Sequence, residues 1–288
     1  MVPDGVNESI PAMTSEEERA CYYRLAKEAN QHGYVVEVGA WLGAASAWIA
    51  AGVRDSGVDR KAHIFDRFTL RPDHVAKAGR PLPRDLLPEF QKNLGSLLSY
   101  VVPHKGEVTD NFSWDKGEVA LLICDAPKRI GAIAPTLMAF AGYMNSGAIL
   151  AWQDFAFSAA YAIPAVCSRL KLEFVEAVPK CTVVLRVKEP WTKQQVSAIA
   201  LDTWTVKEIE DAWSCWPELL PPEMAAHVEA GKAMFLCDRG EPDKARVVMQ
   251  NVLRDYGSSI VVGWRRFNQR PKFVQRFKPL FQELSGLL

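Results

Sequence analysis

The chain carries no excess charge and no long apolar run, and each absence narrows what it can bind. Its 34 Lys and Arg are balanced by 34 Asp and Glu. A formal net charge of zero supplies no bulk attraction for nucleic acid or an anionic membrane, so neither is expected as a partner. Nowhere do the 288 residues sustain the roughly 20 apolar positions a spanning helix needs. Met1 to Met13 lack the basic and apolar regions of a secretory signal. Cys21, Cys124, Cys167, Cys181, Cys215 and Cys237 form no Cys-x-x-Cys pair, so a zinc site is not expected and buried free thiols in a reducing cytoplasm are. With 49% hydrophobic and 24% charged residues the composition is that of a globular protein. The length suits one α/β domain with an appendage, or two small domains.

The three-glycine fingerprint of dinucleotide sites is missing as well. Where G-x-G-x-x-G would stand, the chain reads Tyr34-Val35-Val36-Glu37-Val38-Gly39-Ala40-Trp41-Leu42-Gly43-Ala44-Ala45-Ser46. The β-branched run predicts a buried parallel strand. Gly39 permits a sharp turn, and Gly43 lets backbone or ligand approach closely. A helix over Ala44 to Val53 would then point its first amides back at the loop. Bulky Trp41 replaces the middle glycine and would crowd a pyrophosphate. An acid two places before the first glycine suits a ligand with a cationic amino acid end.

Elsewhere strands and helices alternate. Thr14-Ser15-Glu16-Glu17-Glu18 is a capping-box signal for a helix to Ala29. Strands are expected at Ala62 to Asp66, Tyr100 to His104, Glu118 to Asp125 and Gly147 to Ala151. Leu172 to Ala177 and Thr182 to Val187 read as a closing antiparallel pair. Helices are expected over Pro88 to Leu98, Ile130 to Tyr143 and Ala159 to Leu170, with a long Pro- and Arg-rich loop over Arg71 to Pro88. The alternation predicts an α/β, doubly wound sheet, with its ligand beyond the carboxyl ends of the strands. Glu37, Asp66, Glu107, Asp125 and Asp154 all fall at or just after strand ends. Beyond Glu189-Pro190 the pattern turns helical, with a hairpin of Pro221 to Arg239 and Glu241 to Tyr256 about Gly240. Two domains are therefore expected, 1–188 and a helical C-terminal extension over 189–288. Such a hairpin must pack on the main domain or on a second copy of the chain, so a homo-oligomer is one outcome.

The stretch Glu37-x-Gly39-x-x-x-Gly43 resembles motif I of class I S-adenosylmethionine-dependent methyltransferases, E/D-x-G-x-x-x-G. Asp66-Arg67-Phe68 is similar to the D-x-F motif of macrocin-type sugar O-methyltransferases, and Gly43 to Ser46 to that group's G-x-S/T helix entry. Asp125-Ala126-Pro127-Lys128 resembles the D-x-x-K of catechol-type O-methyltransferases. The resemblance covers about residues 14–188 and implies a Rossmann-like methyltransferase sheet. It implies S-adenosylmethionine held by Glu37, Gly39, Gly43, Ser46, Asp66, Phe68, Glu107 and Asp125. Asp66 would accept from ribose hydroxyls, and Glu107 would lie near the adenine. It also implies a magnesium site at Asp125, Gln153 and Asp154, where the family has Asp-Asn on its fifth strand. Gln153 offers only a neutral carbonyl oxygen, so the metal stays one of two readings.

The chemistry expected from that cofactor is O-methylation of a small-molecule or glycosylated acceptor. A sulfonium methyl is already electrophilic, so the protein must align a hydroxyl with it and take a proton. Asp125 and Lys128 are the first candidates, and His74 in the long loop is a third. Two rival readings remain at this stage: an NAD- or nucleotide-sugar-linked oxidoreductase, and a degenerate methyltransferase fold serving as a non-catalytic assembly subunit.

Overall fold

The computed structural model describes residues 1–109 and 112–267. Seven strands form one sheet in the order β3-β2-β1-β4-β5-β7-β6. They are β1 (Tyr34–Val38), β2 (Ala62–Asp66), β3 (Val101–Lys105), β4 (Val119–Cys124), β5 (Ile149–Trp152), β6 (Leu172–Val178) and β7 (Thr182–Val187). The first five are parallel, and β7 is antiparallel to both β5 and β6. All six residues of β4 are buried, as befits a central parallel strand covered on both faces.

Helices α1 (Glu16–Glu28), α2 (Ala44–Asp55), α3 (Pro72–Ala78) and α4 (Leu87–Leu94) precede β3. They are followed by α5 (Ile130–Ala139), α6 (Ala162–Cys167), α7 (Lys193–Ser197), α8 (Val206–Ser214), α9 (Pro222–Asp238) and α10 (Pro242–Phe267). Residues of α1, α2 and α4 share a core with Val35, Ile64, Leu121 and Ile123. Those of α5, α6, α8 and α9 share the other core with Val36, Val38, Leu122 and Leu150. The alternation within each strand thus sends successive side chains to opposite layers.

Three expectations need revision. The loop over Arg71 to Pro88 contains α3, a seven-residue helix. It is bounded by Pro72 at its start and by Gly79 at φ 65° after its end, and it is too short to show an amphipathic repeat. The helix expected to reach Tyr143 stops at Ala139, before Gly142 at φ 80°. The one expected over Ala159 to Leu170 is a 3₁₀ turn at Ser158–Ala160 followed by α6. The chain reverses side between β1 and β4, the neighbours at the centre of the sheet, and that switch point is where a ligand is received.

Candidate cofactor and methyl-transfer site

Parallel register brings the predicted acids to one rim. Val38 lies beside Phe65 and Cys124, so Gly39, Asp66 and Asp125 leave their strands together. The Asp125 and Ala126 amides both donate to the Val38 carbonyl, at 2.9 Å each. This binds the β4 exit to the glycine loop. Gly39 has φ 104° and Gly43 φ 91°, and between them Trp41 also sits at positive φ, 47°. A Cβ on Gly39 would lie 2.5 Å from the Ala126 amide nitrogen, so the loop passes β4 with no room for a side chain.

Glu37 is fully buried under this loop. Ser46, on the first turn of α2, donates its hydroxyl to Glu37 Oε2. Glu37 Oε1 has no hydrogen-bond partner among the described residues. Burial raises the Glu37 carboxyl well above its ordinary range; the Ser46 bond opposes this, while Asp125 and Asp66 add to it. An orphaned carboxyl oxygen at the switch point fits the ammonium of an amino acid moiety, since a buried polar atom otherwise goes unsatisfied.

Asp66 is engaged more fully than its motif suggests. Its Oδ2 accepts from the amides of Ala40 at 2.8 Å and Trp41 at 3.0 Å. Oδ1 accepts from Phe68 at 2.6 Å. A carboxylate has about four acceptor sites, so about one is left for a ligand hydroxyl. The Phe68 ring is fully buried and lies 4.9 Å from that of Phe90. Its contribution at the rim is therefore the backbone amide, and the ring belongs to the core. Glu107, beyond β3, is exposed and ion-paired with Arg67 at 3.2 Å.

At the other side of the loop Asp125, Lys128 and Asp154 converge. Lys128 Nζ lies 3.8 Å from Asp125 Oδ1 and makes a tight ion pair with Asp154 Oδ2. Burial alone would lower the lysine, but Asp154 and then Asp125 outweigh it and hold Lys128 above its ordinary value. That pairing favours the ammonium form and weighs against the role as a base expected of Lys128. Burial pushes Asp125 the opposite way from a free carboxylate, upward, with Lys128 pulling against it and Asp154 adding. The Gln153 side chain is buried with its Nε2 3.7 Å from Cys181 Sγ, and Oε1 has no partner among the described residues.

A magnesium ion does not fit this donor set: the Lys128 ammonium already lies between the two carboxylates. Among the described residues no group of three or more His, Cys, Asp or Glu is arranged to hold a metal. His74 lies apart from the cluster. Its ring stands 5.4 Å from that of Trp41, and its Nδ1 accepts the Arg71 amide at 3.2 Å. Burial lowers its pKa. A cavity of about 430 Å³ lined by Gly33, Glu118, Asn145 and Arg186 opens at the opposite, amino-terminal rim and includes none of these acids.

Several residues at the site carry no motif signal. Cys181 and Thr182, at the start of β7, and Glu18 and Tyr22, on α1, stand behind Asp154. They come from segments more than 150 positions apart, and only Glu18 shows in the sequence, as a capping residue.

The sheet order, the acid–glycine loop at the β1–β4 switch point and the strand-end acids define a Rossmann-like methyltransferase fold of class I, the S-adenosylmethionine-dependent enzymes. Residues 36–155 match the family model described as a methyltransferase domain. Among solved structures, it resembles the O-methyltransferase NovP with a TM-score of 0.51 and 17% identity, over 62% of this chain and 83% of that one. A methyltransferase of Podospora anserina, PaMTH1, solved with S-adenosylhomocysteine, aligns over 65% of this chain and 89% of its own, at 15% identity and TM-score 0.47. No curated protein matches in sequence.

Proposed function

We propose that the chain transfers a methyl group from S-adenosylmethionine to a hydroxyl oxygen of a small-molecule or sugar-bearing acceptor, in the cytoplasm. The observation that supports this most is the place of the Asp125–Lys128–Asp154 cluster. It adjoins the glycine loop, tied to it by the two amides on the Val38 carbonyl, so acceptor chemistry and cofactor loop share one rim. When bound, S-adenosylmethionine supplies an electrophilic methyl group on a sulfonium.

The chain's own residues do the rest. Glu37, held by Ser46, meets the ammonium with its free oxygen. Gly39 and Gly43 keep the backbone close, and the remaining acceptor site of Asp66 meets a ribose hydroxyl. Phe68 contributes through its amide, and Glu107 stands at the adenine side. Asp125, raised by burial, takes the acceptor's proton; a base poised nearer neutrality is the better general base. Lys128 faces the negative charge that develops on the acceptor oxygen, the electrostatic work a divalent cation would otherwise perform. In this reading the catalytic unit is residues 1–188, and the helical extension over 189–288 backs the acceptor side.

Calorimetry with S-adenosylhomocysteine and, separately, NADH tests the cofactor. Binding of the first alone is expected, and binding of NADH alone would overturn the reading. Asp125→Asn is expected to leave S-adenosylhomocysteine affinity within about threefold. With methyl-labelled S-adenosylmethionine and a panel of phenolic and sugar hydroxyls, it should lose label transfer by roughly 10²-fold or more, the range for a removed general base. Transfer in the wild type is expected to be indifferent to chelator.

A further inference from the structure

Glu18 stands at the third position of α1, where a glutamate closes a capping box with Ser15. Such residues ordinarily face water, yet Glu18 is fully buried. Its Oε2 accepts the Ser15 amide at 2.8 Å, which completes the box. Its Oε1 does something else: it accepts the Thr182 hydroxyl at 2.7 Å and lies 3.6 Å from Cys181 Sγ. Thr182 Oγ1 in turn is 3.0 Å from the hydroxyl of Tyr22, one turn further along α1. Cys181 Sγ also lies 3.3 Å from Asp154 Oδ1, and Asp154 Oδ2 is the ion-pair partner of Lys128. Lys180, at φ 93° in the turn between β6 and β7, reaches the Met13 carbonyl and comes within 4.0 Å of Glu18 Oε2. One thiol therefore joins a helix cap to the lysine at the methyl-transfer rim.

Capping does not account for this burial. A glutamine at the same position accepts the same bond without the cost of desolvating a carboxylate. What the box leaves over is the second oxygen, and that oxygen is spent on Cys181 and Thr182, at the entry to β7 behind Asp154. Asp154 itself has φ 61°, a conformation a non-glycine residue keeps only where surrounding contacts over-determine it. Those contacts include the Cys181 thiol and the bond from the Ala156 amide to the Cys181 carbonyl at 3.2 Å. The Cys181 thiol, whose pKa burial raises, has a single hydrogen to give: the shorter contact, 3.3 Å, is to Asp154 Oδ1, and Glu18 Oε1, 3.6 Å away, bears on the same sulfur.

We propose that Glu18 is a positioning residue of the methyl-transfer site, fixing Asp154 through the Cys181 thiol and thereby holding the Lys128 ammonium in place. The purpose assigned to it rests on the functional reading above; the contacts themselves do not.

The test reads Lys128 directly in the folded, full-length chain. Its side chain is 43% exposed, so formaldehyde and dimethylamine-borane can reach it, and mass spectrometry gives its rate of methylation relative to exposed Lys92. Cys181→Ala and Glu18→Gln are expected to raise the relative rate at least threefold, because a loosened Asp154 releases the ammonium. Cys181→Ser, which keeps a single-proton donor, is expected to stay within twofold of wild type. A capping role alone would leave both the unfolding midpoint and the Lys128 rate of Glu18→Gln near wild type, since glutamine closes the same box. Unchanged rates in both Cys181→Ala and Glu18→Gln overturn the proposal. Calorimetry with S-adenosylhomocysteine on the same proteins separates the two ideas. Affinity in the variants should match wild type, and its loss in Cys181→Ala would signal a general disturbance and also overturn the proposal. A wild type that fails to bind overturns the functional reading instead, with the Lys128 rates still deciding the role of Glu18.

Discussion

Asp66 shows how one side chain can be structural and ligand-binding at once. Its bonds to Ala40, Trp41 and Phe68 tie the loop after β1 to the end of β2, so the loop is shaped before any ligand arrives. Asp66→Ala should therefore weaken S-adenosylhomocysteine binding about tenfold or more, since charge-assisted hydrogen bonds contribute on the order of 1.5–3 kcal/mol. It should also lower the denaturant midpoint, and affinity unchanged in the folded variant would remove Asp66 from the site. Glu37 makes a prediction of a different kind. Its carboxyl is raised well above 4.5 by burial, so the folded chain keeps a proton that the unfolded chain sheds. A raised acid contributes stability that is full below the unfolded value and is lost as pH rises through the folded value. Without cofactor, wild type should thus lose thermal stability relative to Glu37→Gln as pH increases from about 5 to about 8. Parallel melting curves across that window would show that the carboxyl titrates alike in both states.

At the scale of elements, the loop between β1 and α2 is held by two glycines with different neighbours. A Cβ on Gly39 would meet the Ala126 backbone at 2.5 Å, whereas one on Gly43 would meet the Leu94 and Phe90 side chains at 2.6 and 2.9 Å. Side chains can give way and a β4-end backbone cannot. Both alanine variants bear backbone strain of about 1–3 kcal/mol at positive φ, and Gly39→Ala should be the more destabilised in urea; the reverse order would mean that the β4 exit yields. This loop was legible in the sequence because it is local: a β-branched run, an acid and two glycines specify strand, turn and helix within thirteen positions. So were β4 and Asp125. The short α3 was not, because seven residues between a proline and a glycine carry no periodicity. The string Asp66-Arg67-Phe68 did not tell which way the phenyl ring faces. Nor did the spacing from Asp125 to Lys128 reveal that Asp154, just past the next strand, is the closer partner. Glu18 and Cys181 are 163 positions apart, and only the folded sheet brings α1 to the head of β7.

For the molecule as a whole, the C-terminal helices complete a layer rather than hang from it. Trp204, Trp213 and Trp216 of the extension are all buried, in the same core as Leu122 and Leu150 of the sheet. The Trp216 indole donates to the Pro164 carbonyl at 3.1 Å and meets the Phe155 ring at 4.9 Å. Phe155 directly follows Asp154, so the tail backs the segment that carries the site. Trp191, just past β7, donates to the Leu137 carbonyl at 2.9 Å and fastens the start of the extension to α5. Truncation after residue 188 would strip this face of the sheet layer of its cover, and an apolar area of that extent does not stay in water. The truncated chain is expected to be insoluble. Trp216→Ala isolates the link to the site: loss of a buried Trp costs roughly 3–5 kcal/mol, and binding of S-adenosylhomocysteine should weaken little, since the cofactor loop lies on the far side of β4. Trp216→Phe keeps most of the area and loses one neutral hydrogen bond, worth about 1 kcal/mol, so its denaturation midpoint should fall between the two. A soluble truncation product with wild-type cofactor affinity and stability would show instead that residues 1–188 close their own core, and that the extension serves another purpose.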